Sequence, residues 1–300
     1  MGPNDTAWPA LPFDAWKDTK ATLQLYTQIA GKVRLALAPM EPEWAQVPLY
    51  LTSRGLTTSP MPYPPRTFSI DFDFIAHRVT IAVSDGETRT VELAPRSVAS
   101  FYSELMAKLR ELGIDVHIWT MPQEVPDPIR FTEDTTHAAY DKDYAHRFWW
   151  VLSQVDQVLK EHRAQFRGRH TPVQFFWGSF DLCYFRYSGR PEAPPPNAKT
   201  IYRYGADAQQ IGCGFWPGDA RFPEPAFFSY EYPKPEGIEA ASIRPKGAFW
   251  STQVGEFLIR YEDIRNSPSP EKAILDFAAS IYEACAAAGN WDPNLTAPLG

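Results

Sequence analysis

Cysteines and long apolar runs are scarce in this sequence. Only three cysteines, Cys183, Cys213 and Cys285, occur among 300 residues, and no two of them form a CxxC pair. An odd, scattered set favours free thiols in a reducing compartment over a disulfide framework or a zinc site. No apolar stretch approaches the roughly 20 residues that a membrane-spanning helix requires, and the first residues do not resemble a signal peptide. We therefore expect a cytoplasmic protein that does not bind a membrane.

Clustered positive charge is also missing. The chain has 29 Lys and Arg against 36 Asp and Glu, a net charge of −7, and it contains no basic run. Binding to a phosphate backbone needs such a cluster, so a nucleic-acid partner is not expected. Glycine-rich phosphate loops, nucleophile elbows, HExxH motifs and EF-hand loops are absent too. No motif therefore names a reaction.

Aromatic residues and prolines, in contrast, are abundant. The sequence has 19 Phe, 14 Tyr, 10 Trp and 29 Pro. Aromatic side chains supply large apolar areas, and prolines fix loop geometry. One interpretation is an aromatic-lined pocket for a small molecule, and the other is a well-packed β-rich core with rigid loops. The two are compatible, and both stay open here.

Hydrophobic periodicity alternates between helical and strand spacing along the chain. Trp16 to Ala30 predicts a helix that ends at Gly31, followed by a strand over Val33 to Leu37. Further strands and helices follow, so we predict an α+β fold of largely antiparallel sheets with packed helices. Residues 1–125 and 126–300 would each form a helix–strands–helix half, packed as one compact unit. An internal duplication would explain the repeated order, and so would chance.

His137 is the first candidate for acid–base chemistry. It lies in the segment from Asp134 to Asp141, with Tyr140 close in sequence. A histidine beside a tyrosine and an aspartate can act as general acid or base. The alternative is that Asp134 or Thr136 caps a helix and that His137 packs beside it.

Asp181 is the second candidate, because it lies among aromatic residues. In the preceding strand, alternation places Gln174 and Phe176 on one face and the aromatic residues Phe175 and Trp177 on the other. A buried carboxylate needs a partner. An ion pair would satisfy Asp181, and the candidate partners are Arg54, Arg186 and Arg190. The alternative is a catalytic acid with a shifted pKa.

Six short stretches carry a resemblance to a known family. They are Trp8 to Pro12, Gln28 to Lys32, Arg54 to Pro60, Phe175 to Leu182, Ser188 to Arg190 and Gly214 to Gly218. In these stretches the chain resembles an uncharacterised bacterial family, domain of unknown function 5996. The stretches run over nearly the whole chain, but the resemblance implies no assigned activity.

The resemblance also implies a difference from the family pattern. Family members carry histidines at the positions of Glu43 and Gln46, on either side of Trp44, and another at Gln174. A His-Glu pair lies near the positions of Ala208 and Gln209. Such a set resembles a metal site, and glutamine is a poor ligand for a transition metal. We therefore expect a diverged member with no metal and no cofactor.

Three hypotheses about function follow. The first is a metal-independent enzyme of specialised metabolism, a cyclase, isomerase or lyase that acts on a small, partly apolar molecule. The second is a non-catalytic small-molecule-binding protein, and the third is a metal-dependent hydrolase. The candidate catalytic residues are Glu43, His137 and Asp181. The candidate binding residues are Trp44, Gln46, Tyr50, Arg54, Tyr140, Gln174, Phe176, Trp177 and Trp216.

Overall fold

The computed structural model describes residues 7–194, 196–198 and 200–296, and within them the chain forms six helices and two six-stranded antiparallel sheets. This confirms the predicted α+β fold. The helices are α1 (Phe13–Leu37), α2 (Val98–Glu111), α3 (Lys142–Ala164), α4 (Thr200–Gly205), α5 (Tyr261–Arg265) and α6 (Pro270–Ala288). The strands are β1 (Tyr50–Thr52), β2 (Gly55–Thr57), β3 (Met61–Tyr63), β4 (Arg66–Asp73), β5 (Arg78–Val83), β6 (Thr88–Glu92), β7 (Gln174–Phe176), β8 (Asp181–Pro191), β9 (Ala208–Trp216), β10 (Ala226–Tyr232), β11 (Phe249–Ser251) and β12 (Glu256–Arg260).

The two sheets meet edge to edge. The first sheet has the order β1-β2-β4-β5-β6, with β3 paired to β4, and the second has the order β11-β12-β10-β9-β8-β7. Between them, Leu49 N donates to Phe175 O at 2.9 Å and Phe175 N donates to Leu49 O at 2.8 Å. Each half thus contains a long helix, six strands and a closing helix. The internal duplication stays a prediction.

Helix α1 is buried along most of its length, and its polar residues are buried as well. Lys20, Gln24, Gln28 and Lys32 follow each other at intervals of four, so they lie on one face of the helix. Three of them donate to backbone oxygens. The acceptors of Gln24, Gln28 and Lys32 are the carbonyl oxygens of Gly178, Gln123 and Trp119, at 2.6, 2.8 and 3.0 Å.

Gly31 does not end α1, and the predicted strand over Val33 to Leu37 is wrong. The helix continues to Leu37. Gly31 is needed because the indole of Trp177 packs against it: a Cβ at this position would lie 2.2 Å from Trp177 Nε1. That indole nitrogen donates to Val47 O at 2.9 Å. Gly31 therefore permits the close approach of the Trp177 indole and does not end the helix.

The two faces of the second sheet have different neighbours. Helices α3 and α6 lie against one face, which contributes side chains such as Leu182 and Phe215 to the main core. The other face is less covered and rich in aromatic residues. We call it the aromatic face, and it consists of Phe176, Cys183, Phe185, Trp216, Phe228, Tyr230, Phe249 and Leu258.

The packing of Gly31 gives a test of the fold. A glycine-to-alanine change inside a helix normally stabilises it by roughly 0.5–1 kcal/mol. Gly31→Ala should instead lower the free energy of unfolding by about 1–3 kcal/mol, since the new methyl group overpacks the contact with Trp177. Chemical denaturation measures the change. In a Trp177→Leu background the same substitution should cost less, and an equal cost in both backgrounds would contradict the contact.

Candidate functional site

The aromatic face depends on two glycines in its central strand. A Cβ at Gly212 would lie 2.8 Å from Phe185 Cε1, and one at Gly214 would lie 2.6 Å from Phe228 Cζ. The rings of β8 and β10 can therefore lean over β9, and the centroids of Phe185 and Tyr230 are 6.2 Å apart. Several of these rings are half-buried, so the face is an open surface and not a closed cavity.

Two shallow surface clefts among the described residues lie elsewhere. One, of about 130 Å³, is lined by Glu231, Lys234 and Gly289, among others. The other, of about 230 Å³, lies beside Tyr102 and Arg110 of α2. Neither cleft contains a predicted site residue.

Asp181 lies at one end of the aromatic face, as the first residue of β8. It is 7% exposed. The hydroxyl of Ser179 donates to its carboxylate, and the thiol of Cys183 is a second hydrogen-bonding neighbour. Burial outweighs these bonds and raises the pKa of Asp181 to about 7.

The expected ion pair of Asp181 does not form. Each candidate arginine is engaged elsewhere: Arg54 Nε lies 2.7 Å from Asp73 Oδ2, Arg186 donates to His162 O, and Arg190 donates to Gly289 O. Among the described residues no cation is paired with Asp181. The ion-pair interpretation is therefore wrong, and the carboxyl is buried without a compensating charge.

Glu256 supplies a second carboxyl with a raised pKa. It is the first residue of β12 and its side chain is turned to the aromatic face, because Leu258 of the same strand lies on that face. Burial, followed by the charge of Asp181, raises the pKa of Glu256 to about 7, although Arg221 opposes this. Both carboxyls therefore change their charge close to neutral pH.

A buried lysine of α1, Lys20, has Asp219 and Arg221 as its charged neighbours. Lys20 Nζ donates to Gln24 Oε1 at 2.9 Å and lies 5.5 Å from the centre of the Phe180 ring. Burial lowers the pKa of Lys20 to about 8, while the charges of Asp219 and Arg221 act in opposite directions. We call these groups the Asp181 cluster: Lys20, Glu124, Asp181, Asp219, Arg221 and Glu256.

A second group of predicted residues meets near the 3₁₀ turn Pro42–Trp44. Glu43 Oε1 lies 2.5 Å from Arg169 Nη2, and Trp44 Nε1 donates to Ile201 O at 2.8 Å. The side chain of Gln46 accepts from the backbone N–H of Glu41 at 3.1 Å.

Arg34 of α1 connects this turn to the second sheet. Its Nε donates to Gln46 O at 2.6 Å, and its guanidinium carbon lies 5.2 Å from the centre of the Tyr50 ring. Gln174 Nε2 in turn donates to Tyr50 OH at 3.4 Å. The structure thus brings Glu43, Trp44, Gln46, Tyr50 and Gln174 together.

Four other predicted residues do not join either group. His137 Nδ1 lies 2.7 Å from Asp134 Oδ2 in the loop before α3, and Tyr140 OH lies 3.1 Å from His77 Nδ1. Arg54 pairs with Asp73, and Trp177 packs on α1. Neither Asp134 nor Thr136 caps a helix, since Asp141 accepts from Tyr144 N at the start of α3. A catalytic role of His137 stays a prediction, outside the two groups described above.

Sequence reasoning missed Lys20, Asp219, Arg221 and Glu256. A signal existed for Lys20 alone, since four polar residues at intervals of four on an otherwise apolar helix indicate a buried polar row. Glu256 belongs to a strand far along the chain, and only the sheet order puts it on the same face as Asp181.

No group of three or more His, Cys, Asp or Glu side chains is arranged to hold a metal ion within the described ranges. Gln46 and Gln174 stand where the resemblance implies histidine. They bond to Glu41 and Tyr50.

The chain matches one known protein family. A family of unknown function, DUF5996, has a model that matches residues 8–297. The chain belongs to this family. The resemblance drawn from the sequence is thereby confirmed, while neither the curated proteins nor the solved structures yielded a match. Every helix in the described part of the chain is too short or too polar to cross a bilayer.

The raised pKa of Asp181 gives a test on stability. The folded carboxyl keeps its proton up to about pH 7, whereas the unfolded one loses it near its ordinary pKa of 3.8. The folded state therefore holds the extra proton between these values, and the free energy of unfolding falls as pH rises through this window. Asp181→Asn should remove this loss and stabilise the protein at pH 8 by up to about 4 kcal/mol.

Urea denaturation between pH 4 and pH 8 measures this effect. Asp276→Asn on α6 is the control, because Asp276 is partly exposed and paired with Lys272. A gain for Asp181→Asn of equal size at pH 4 and at pH 8 would contradict the raised pKa.

Proposed function

We propose that this protein is an enzyme that moves a proton within a small, partly apolar molecule bound on the aromatic face. The reaction class is isomerisation, cyclisation or elimination, as in specialised metabolism. One observation carries the proposal: the carboxyls of Asp181 and Glu256 both have a pKa near 7 at the same face, and Asp181 has no ion-pair partner among the described residues. Pairs of titratable groups in such environments are typical of acid–base sites.

The pair supports both halves of a proton transfer. The ionised carboxylate takes a proton from carbon, and the electron pair of that C–H bond shifts into the substrate. The protonated partner delivers its proton to another substrate atom. The substrate then keeps its composition, which is an isomerisation or a cyclisation, and expulsion of a leaving group instead makes the reaction an elimination. No oxidant or reductant is required.

The surroundings of the pair suit such a step. The rings of Phe176, Phe185 and Trp216 offer an apolar surface for the body of the substrate. Arg221 brings positive charge to Glu256. Positive charge near the reacting atoms stabilises the anion that forms when carbon loses a proton.

A non-catalytic binding protein is the second candidate. The openness of the aromatic face favours it, because enzymes usually exclude water from the reacting atoms. The ion pair between Glu43 and Arg169 favours it as well, since that carboxylate is engaged. Both candidates place the ligand on the same surface, so an experiment has to separate binding from turnover.

We propose the cytoplasm as the location. Cys183, Cys213 and Cys285 are buried and unbridged. Free thiols are typical of proteins in a reducing compartment.

Proton transfer can be tested without knowing the natural substrate. 1-Phenylacetone has an aromatic body and acidic C–H bonds, and their exchange for deuterium in D2O is followed by proton NMR. We expect the protein to accelerate this exchange, with a maximum near neutral pH because one carboxyl must be ionised and the other protonated. Asp181→Asn should lower the protein-dependent rate by about 100-fold, and Glu256→Gln should remove one limb of the pH profile.

The control is Asp276→Asn, which should retain the full rate. Exchange that is equally fast with wild-type protein and with Asp181→Asn would refute the enzyme proposal. Saturable binding of phenylacetone without exchange would support the second candidate instead.

A further inference from the structure

The smaller of the two surface clefts has a buried carboxyl group in its lining. The cleft has a volume of about 130 Å³ and lies where the end of β10 meets the end of α6. Its lining residues are Gln209, Glu231, Pro233, Lys234, Pro235, Ala288 and Gly289. Glu231 is 8% exposed and is the only buried member of this set. The cleft therefore leads from solvent to a desolvated carboxyl group.

The cleft is separate from the aromatic face. Glu231 pairs with Ile211 in the register of β9 and β10, one step beyond the pair of Tyr230 and Gly212. Neighbouring residues of a strand point to opposite sides of the sheet, so Glu231 is turned away from the side that carries Tyr230. Helix α6 lies on this opposite side and brings Cys285 next to the carboxyl. A ligand in the cleft would thus lie across the sheet from the reaction proposed above.

The carboxyl of Glu231 lacks a full set of hydrogen bonds. Its Oε2 atom is buried and has no hydrogen-bond partner in the described part of the chain. The Cys285 thiol and the Trp291 indole are neighbours of the carboxyl, but neither forms a hydrogen bond of standard geometry with Oε2, and the indole nitrogen is itself unpaired. Burial raises the pKa of Glu231 to about 7, although Cys285, Trp291 and Arg190 oppose the rise. Buried polar atoms without partners are few in native proteins, so this pair of atoms calls for an explanation.

Gly289 keeps the space beside this carboxyl free. A Cβ at Gly289 would lie 2.8 Å from Glu231 Oε1 and 2.9 Å from Trp291 Nε1. The backbone of Gly289 has a φ of −80°, which any residue adopts, so the conformation of the chain does not require a glycine here. A hydrogen-bond acceptor and a donor therefore border the same space, at a residue that also lines the cleft.

The charges around the cleft favour an uncharged ligand. Arg190 acts on Glu231 as a positive charge, and Lys234 lines the cleft, with its Nζ 3.2 Å from Glu239 Oε2. A cationic ligand would meet two positive groups, and an anionic ligand would meet the ionised carboxylate above pH 7. A protonated carboxyl donates one hydrogen bond and accepts another, and a carboxamide group carries the matching acceptor and donors.

We propose that this cleft binds a small uncharged molecule through a carboxamide group that forms two hydrogen bonds with the carboxyl of Glu231. The amide oxygen accepts from the protonated carboxyl, and the amide N–H donates to the other carboxyl oxygen. Pro233, Pro235 and Ala288 supply apolar surface for the rest of the molecule. A cavity of about 150 Å³ holds benzene, so the cleft has room for about six non-hydrogen atoms. This inference does not depend on the proposed function, since the two sites lie on opposite sides of the sheet.

Isobutyramide tests the proposal, because it has this size and one carboxamide group. Three compounds of the same shape serve as comparison ligands: 3-methyl-2-butanone lacks the N–H donors, isobutyramidinium is a cation, and isobutyrate is an anion. Titration of ¹⁵N-labelled protein at pH 6 should give saturable NMR shifts at the backbone N–H groups of Glu231 and Gly289, with a Kd of about 1 mM for isobutyramide. Each comparison ligand should bind at least about fivefold more weakly, since it loses a hydrogen bond or adds a buried charge.

The pH dependence and two substitutions test the role of Glu231. Only the protonated carboxyl donates to the amide oxygen, so the affinity for isobutyramide should fall by about tenfold between pH 6 and pH 8. The other charged or titratable neighbours are Arg190, Lys234 and the Cys285 thiol, whose pKa burial raises. Glu231→Gln keeps a donor and an acceptor, so it should bind isobutyramide with no dependence on pH. Glu231→Leu has neither group and should not bind it.

Glu283→Gln on α6 is the matched control. Glu283 is exposed and paired with Arg244, so this variant should retain both the affinity and the pH dependence of the wild type. The absence of saturable isobutyramide binding would overturn the inference. Equal affinity for 3-methyl-2-butanone, tighter binding of isobutyramidinium, and unchanged binding by Glu231→Leu would each overturn it as well. If Glu231→Leu does not fold, the loss of pH dependence in Glu231→Gln decides, and a dependence that persists in that variant contradicts the role of Glu231.

Discussion

The buried row of polar side chains on α1 is the constraint on which the site depends. Gln24 holds the carbonyl oxygen of Gly178 in the turn between β7 and β8, and Asp181 begins β8 three residues later. At the other end of the helix, Arg34 donates to the carbonyl oxygen of Gln46 beside the Pro42–Trp44 turn. One helix therefore positions both ends of the aromatic face. Its amide and guanidinium groups are buried, so moving either loop would take away their hydrogen-bond partners.

The same helix carries a buried cation. Lys20 feels the charge of Asp219 and forms no ion pair in the described part of the chain. A direct pair with Asp181 would have stabilised the ionised carboxylate and lowered its pKa. Separation leaves desolvation as the largest effect, and the pKa of Asp181 rises to about 7. The fold thus accepts a destabilised carboxylate at neutral pH, which is typical of functional sites.

The sequence predicted structural features that depend on residues close together in the chain. It did not predict features that depend on contacts between distant residues. Alternation placed Gln174 and Phe176 on one face of β7, and the sheet confirms it. Gly31 was misread as a helix end because the need for a glycine comes from Trp177, far along the chain. The prediction of an ion pair for Asp181 was wrong for a similar reason, because the residues next to an arginine in the sequence do not indicate where its side chain points. Of the two carboxyls of the site, only Asp181 could be predicted.

The glycines of β9 determine the shape of the aromatic face. Gly212 and Gly214 have no side chain, so the rings of Phe185 and Phe228 lean over them and the aromatic surface is continuous across the strand. A larger residue at either position would push these rings away and interrupt the aromatic surface. Asp181 and Glu256 are turned to this same face, so the reaction proposed above would place the apolar body of the substrate on these rings and its reacting atoms beside the carboxyls.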